Sequence, residues 1–194
     1  MMRRWPIRWW MPVLVALLCA CASTPSPYYY VLDHIDGTGA PRVAGLSIAL
    51  ESVTVPAEID RPQFVLRGQA NEDTIDDTPR WAAPLQSNIA EVLAGDLATR
   101  LGDASVMTEL VGGASPRYRV NVEILAFESR LGEDARLTAA WHVRRDDGIA
   151  ASGRTSLREP ASGRDFSALA AAHSRAVSRL AAEIARAVVA LEGA

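Results

Sequence analysis

Tyr118-Arg119-Val120-Asn121-Val122-Glu123-Ile124-Leu125-Ala126-Phe127 is the stretch that decides the fold. Tyr118, Val120, Val122 and Ile124 alternate with Arg119, Asn121 and Glu123, the period of two of a strand with one face buried. Residues 131–134 supply a turn. Leu137, Ala139, Trp141 and Val143 then alternate with Thr138, Ala140, His142 and Arg144, as a partner strand should. Arg145-Asp146-Asp147-Gly148 is a turn of the Asp-Gly type, and residues 149–157 return as a third strand. Residues 118–157 therefore read as an antiparallel meander.

On the C-terminal side, residues 159–164 form a loop with Pro160 and Gly163. Ser162 or Asp165 caps a long final helix whose apolar face includes Phe166, Leu169, His173, Val177, Leu180 and Ile184. Its many alanines favour helix and allow close approach to a sheet. On the N-terminal side, residues 105–109 read as a short strand and residues 81–101 as a first helix. The helix carries a stripe of Trp81, Leu85, Ile89, Val92, Leu93 and Leu97, with Gly102 as a C-terminal cap. Pro84 must lie in its first turn, because proline further inside costs about 3 kcal/mol, so regular helix starts near Ala82 or Ala83. Earlier still come strands over 28–32, over 46–55 with a bulge near Glu51-Ser52, and over 63–67; residues 68–79, acidic and polar, read as an exposed loop. The order β-β-β-α-β-β-β-β-α predicts an α/β fold, with a mixed, mostly antiparallel sheet packed by two long helices.

The start of the chain is of another kind. Arg3, Arg4 and Arg8 precede an apolar run from Met11 to Leu18, too short to span a bilayer as a helix of roughly 20 residues. Leu18-Cys19-Ala20-Cys21 follows. Ala20 is the small residue that lipoprotein signal peptidase needs before the cysteine, and Leu18 is the aliphatic one three before it; Cys19, with Leu18 directly before it, fits badly. Cys21 is thus read as the first mature residue, lipidated on sulfur and amine. An ordinary signal with Cys21 an incidental thiol, and an uncleaved anchor helix, both fit less well. Residues 1–20 are then a lipoprotein signal peptide, 21–27 a lipidated, proline-containing tether and 28–194 a single periplasmic domain. Ala22, where enteric-type bacteria place an aspartate to retain a lipoprotein at the inner membrane, favours the outer membrane.

Composition narrows the function. Losing the signal's three arginines leaves 17 basic against 23 acidic residues, and no basic patch of the kind nucleic acid demands. Both cysteines sit at the cleavage site, so the mature domain contains no disulfide. His34, His142 and His173 show no metal-pair spacing, and no metal or cofactor is expected. The sequence contains neither a Gly-x-Ser-x-Gly turn nor a phosphate-binding glycine loop. Glu72, Asp73, Asp76 and Asp77 lack the glycine and distal glutamate of a calcium loop and read as a solvated surface. Nothing here supports an enzyme.

After the lipidation motif, several elements follow in order. They are Tyr28-Tyr29-Tyr30-Val31-Leu32, Val53-Thr54-Val55-Pro56, Ile59-Asp60-Arg61-Pro62-Gln63-Phe64-Val65, Arg80-Trp81-Ala82-Ala83-Pro84-Leu85, Tyr118-Arg119-Val120-Asn121-Val122 and Leu137-Thr138-Ala139-Ala140-Trp141. In this order they resemble the ABC-type transport auxiliary lipoprotein family, also called PqiC-like, over essentially the whole mature chain. Ala83 stands where that family often has an acidic residue. The resemblance implies a fold like the N-terminal domain of TolB. It also implies a non-catalytic subunit anchored by lipid, palmitate included, at the periplasmic face of the outer membrane and associated with membrane integrity. Such a subunit partners a mammalian-cell-entry (MCE) domain transporter protein that carries lipid between the two membranes. Phospholipid contact and a homo-oligomeric ring are further implications. Asp60, Arg61, Pro62 and Gln63, with Trp81, Pro84 and Leu85, are the candidate partner-binding residues. Against binding, Trp81 and Leu85 also read as core, and Arg61 as a residue paired locally with Asp60. The alternative is a stand-alone outer-membrane lipoprotein that binds a small lipid-like ligand or acts as a hydrolase.

Overall fold

The computed structural model of the chain describes residues 26–35, 37, 45–68, 72–102, 104–108, 115–146 and 148–193. The expected signal, Cys21 and all but the last two residues of the tether lie outside these. Among the described residues the elements are β1 (Tyr28–Tyr30), β2 (Ser47–Thr54), β3 (Gln63–Arg67), β4 (Asp73–Trp81), α1 (Leu85–Arg100), β5 (Ser105–Met107), β6 (Tyr118–Arg130), β7 (Asp134–Arg145), β8 (Gly148–Pro160) and α2 (Phe166–Glu192).

The meander is the spine of one mixed sheet. β7 pairs antiparallel with β6 along one side and with β8 along the other. The opposite edge of β6 is shared end to end. Its first half pairs parallel with β2, and Ser129 near its far end pairs parallel with Leu66 of β3. Beyond β2 lies β5, also parallel; beyond β3 come β4, antiparallel, and β1, parallel to β4. The expected bulge is present between Leu50 and Ser52. The long ladders are the antiparallel ones because a turn joins those strands directly, whereas each parallel pairing waits on a crossover.

Both helices pack against the sheet, α1 over β2 and β5 and α2 over β7 and β8. The apolar positions of the alternating strands are the ones they cover. Val120, Leu137, Ala139, Val143, Leu180 and Ile184 are all fully buried. Each fully buried valine, leucine or isoleucine among them contributes about 1.5–3 kcal/mol relative to exposure. Asp165 caps α2, its carboxylate accepting the Ala168 N–H at 2.8 Å. Residues 31–35 run across the two helices as a strap. Their N–H groups donate to three buried side chains: Leu32 to Asn88 Oδ1 at 2.9 Å, Asp33 to Ser174 Oγ at 3.0 Å and Ile35 to Asp96 Oδ1 at 3.1 Å. This strap satisfies backbone donors that have no strand partner, which explains why polar residues are buried on the helices.

Three expectations need correction. The stretch expected as a loop over 68–79 is largely strand: β4 begins at Asp73. Its acidic side chains are no obstacle, because the ladder to β3 is made by backbone groups and Asp73, Thr74, Ile75 and Asp77 lie exposed. Trp81 is therefore the last residue of a strand, not the first of a helix. Its N–H donates to Pro62 O at 2.7 Å, and that of Ala82 to Tyr30 O at 2.8 Å. Pro84 then takes the N-cap position and α1 begins at Leu85. The element order gains a strand, becoming β-β-β-β-α-β-β-β-β-α.

Candidate functional site

The connector after β2 turns back on itself: Ile59 and Asp60 both donate to Pro56 O, and Arg61 to Ile59 O. The Pro62–Trp81 bond then pins it to the end of β4. The parallel register of β1 with β4 sets Tyr29 opposite Arg80. These three segments enclose a surface hollow of about 510 Å³. Asp60, Arg61 and Pro62 come from the connector, Arg80 and Trp81 from β4, and Pro84 from the start of α1; Tyr29, Ala82 and Ala83 complete its lining.

Five of the seven candidates thus meet in one place, although the chain separates them into two groups. Gln63 pairs with Arg80 in the ladder and is half-buried beside the hollow. Leu85 is 1% exposed and lies in the core, away from the lining. Trp81 is 4% exposed. It stacks on Phe64 at 4.0 Å and meets Phe127 and His173 edge-on, so it forms the floor and shows the hollow little of its ring. Sequence reasoning missed Tyr29 and Arg80. Arg80 directly precedes the singled-out Trp81, and Tyr29 carries the signal of an aromatic run at a strand edge.

The charges of the hollow are unbalanced. Arg61 forms no ion pair with Asp60 or with any other described carboxylate, and its Nε is buried without a hydrogen-bond partner. Arg80 uses Nε to donate to Asp77 O at 3.1 Å, and among the described residues its guanidinium has no carboxylate partner. Several other arginines hold carboxylates. Arg136 and Arg158 hold buried Asp134, and Arg175 and Arg179 hold buried Glu159. Burial pushes the Asp134 carboxyl up, but hydrogen bonds from Arg136 and Arg158 outweigh this and keep it below the usual carboxylate range.

One pair has the chemistry of a nucleophile and base: Ser129 Oγ lies 2.8 Å from His173 Nε2. Both are buried, His173 fully, and its ring stacks on Phe127 at 3.9 Å. Burial pushes the imidazole down to about 3, and Nδ1 has no partner to orient it. No substrate reaches this pair, so it is a core hydrogen bond. A second hollow of about 510 Å³ opens on the sheet, lined by Ser52, Asn121, Glu123, Ala140, His142 and Ser152 among others. It brings none of the seven candidates together. No group of three or more metal-ligating side chains occurs among the described residues.

The family model for the ABC-type transport auxiliary lipoprotein component matches residues 30–185. No curated protein matches the chain. A crystal structure of an uncharacterized protein aligns with a TM-score of 0.71 at 17% identity, covering 84% of this chain and 99% of that one. The structure of a DUF330-family protein from Xanthomonas campestris aligns with a TM-score of 0.71 at 16% identity, covering 87% and 97%. At these identities the likeness establishes the fold alone.

Proposed function

The chain belongs to the ABC-type transport auxiliary lipoprotein family, and from that premise we propose that it is a non-catalytic subunit of an MCE-type lipid transport system. In this reading lipid on Cys21 anchors it at the periplasmic face of the outer membrane. The domain docks on the MCE-domain transporter and supports lipid traffic between the two membranes. The observation that carries the docking reading is Arg61: a half-buried arginine without an ion-pair partner, in a hollow rimmed by the exposed prolines Pro62 and Pro84. An arginine kept partly desolvated without a carboxylate in its own chain is suited to an anionic group supplied from outside.

Replacing Arg61 by Ala tests this. The variant should melt as the parent does, because Arg61 makes no ion pair within the described fold, and should recover roughly tenfold less transporter in a pull-down. Full recovery of the partner by a well-folded Arg61→Ala protein would sink the assignment of the hollow as the docking site.

A further inference from the structure

We propose that the hollow between the connector and the start of α1 binds a phosphate group, that of a phospholipid headgroup. This rests on the reading that the chain serves lipid traffic, and names what the site itself holds.

Four observations converge. First, Arg61 and Arg80 both line the hollow, and neither has a carboxylate partner among the described residues. Asp60, the one acidic residue in the lining, is exposed and does not pair with Arg61. Second, the Arg61 Nε–H is buried with nothing to accept it. A buried donor left unmade is costly, and a phosphate oxygen in the hollow relieves that cost. Third, α1, 16 residues long, begins on the wall of the hollow at Pro84. It has no side-chain cap and no acidic residue in its first turn. The positive end of the helix lies beside the hollow and adds to the two guanidinium charges. A helix N-terminus beside arginine forks is the arrangement that favours phosphate. All the cationic side chains of this sequence are arginine, the residue whose planar fork matches phosphate with two parallel bonds.

The fourth observation selects the source. Tyr29, on the lining of the hollow, is 62% exposed, and its neighbours Tyr28 and Val31 are 69% and 48% exposed. Six residues separate Cys21 from Tyr28, and the seven Cα-to-Cα steps between them reach at most about 25 Å. An anchor at Cys21 therefore keeps this edge close to the bilayer, and tyrosines sit favourably at headgroup level with one end apolar and the other wet. A lipid entering here places its phosphate between Arg61, Arg80 and the helix start and leaves its tails along the tyrosine edge.

The test uses the full-length acylated protein in uncharged detergent, titrated with dihexanoyl-phosphatidylglycerol and, separately, with inorganic phosphate. Isothermal titration calorimetry reports occupancy. The expected result is saturable binding of the lipid and weaker binding of phosphate. The double variant Arg61→Gln/Arg80→Gln should lose about tenfold or more in lipid affinity at an unchanged melting temperature. Arg61→Lys, which keeps the charge and loses the fork, should fall between the two. Absence of lipid binding, or equal affinity in the double variant, overturns the proposal. Phosphate binding as tightly as the lipid also overturns it, making the hollow a site for a free anion. Transporter recovery by the same proteins is read separately. Lipid binding without any transporter in the pull-down contradicts the subunit reading alone, and transporter recovery without lipid binding contradicts only the headgroup site.

Discussion

At the scale of single residues, the molecule separates charges that build the fold from charges left over. Asp134, Glu159 and Glu192 each draw two arginines. Arg61 and Arg80 have no carboxylate among the described residues, and the fold brings both to the lining of one hollow. His173 shows the opposite case, a titratable group consumed by the core. Burial pushes its imidazole from 6.5 down to about 3. The unfolded chain then binds a proton that the folded one refuses anywhere between those values. Stability from this group is fully present above pH 6.5 and is lost as pH falls towards 3, by about 1.4 kcal/mol per pH unit. Denaturant unfolding at stepped pH should show this slope, and His173→Phe should flatten it by one proton's worth. An unchanged slope in that variant would mean that His173 is not the group responsible.

At the scale of elements, the meander was legible because its strands have one buried and one wetter face, and alternation records this directly. The pairing is tight: Trp141 lies over Gly153 of β8, and its Nε1–H donates to Thr155 Oγ1 at 3.1 Å. A Cβ on Gly153 would clash with Trp141 Cζ2. Gly153→Ala should therefore destabilise the domain by about 1–3 kcal/mol through overpacking. Wild-type stability in urea would contradict this packing. β4 was not legible, because it joins the sheet through backbone bonds while most of its side chains remain in solvent, so its acidic sequence imitates a loop. Misreading it also displaced the start of α1. Trp81 and Pro84 belong to the end of a strand and the cap of a helix. The two groups of candidates were found separately. Their meeting depends on the Pro62–Trp81 bond and on the parallel pairing of β1 with β4, which are long-range contacts that no local spacing encodes. Tyr29 escaped notice for the same reason.

At the scale of the whole molecule, the architecture explains how one small domain serves as an accessory. The helices seal one face of the sheet and bury the only serine–histidine pair found among the described residues. The hollow opens beside β1, where the chain arrives from the tether. In the proposed reading the anchor and the hollow share this edge, as suits a subunit that works between a membrane and a transporter. The most direct test is to purify the full-length acylated protein from native membranes in mild detergent and identify what accompanies it by mass spectrometry, with a Cys21→Ser control. The account predicts an MCE-domain transporter protein with the parent and its loss or depletion with the control. Recovery of the lipoprotein alone, with the control behaving identically, would contradict the account.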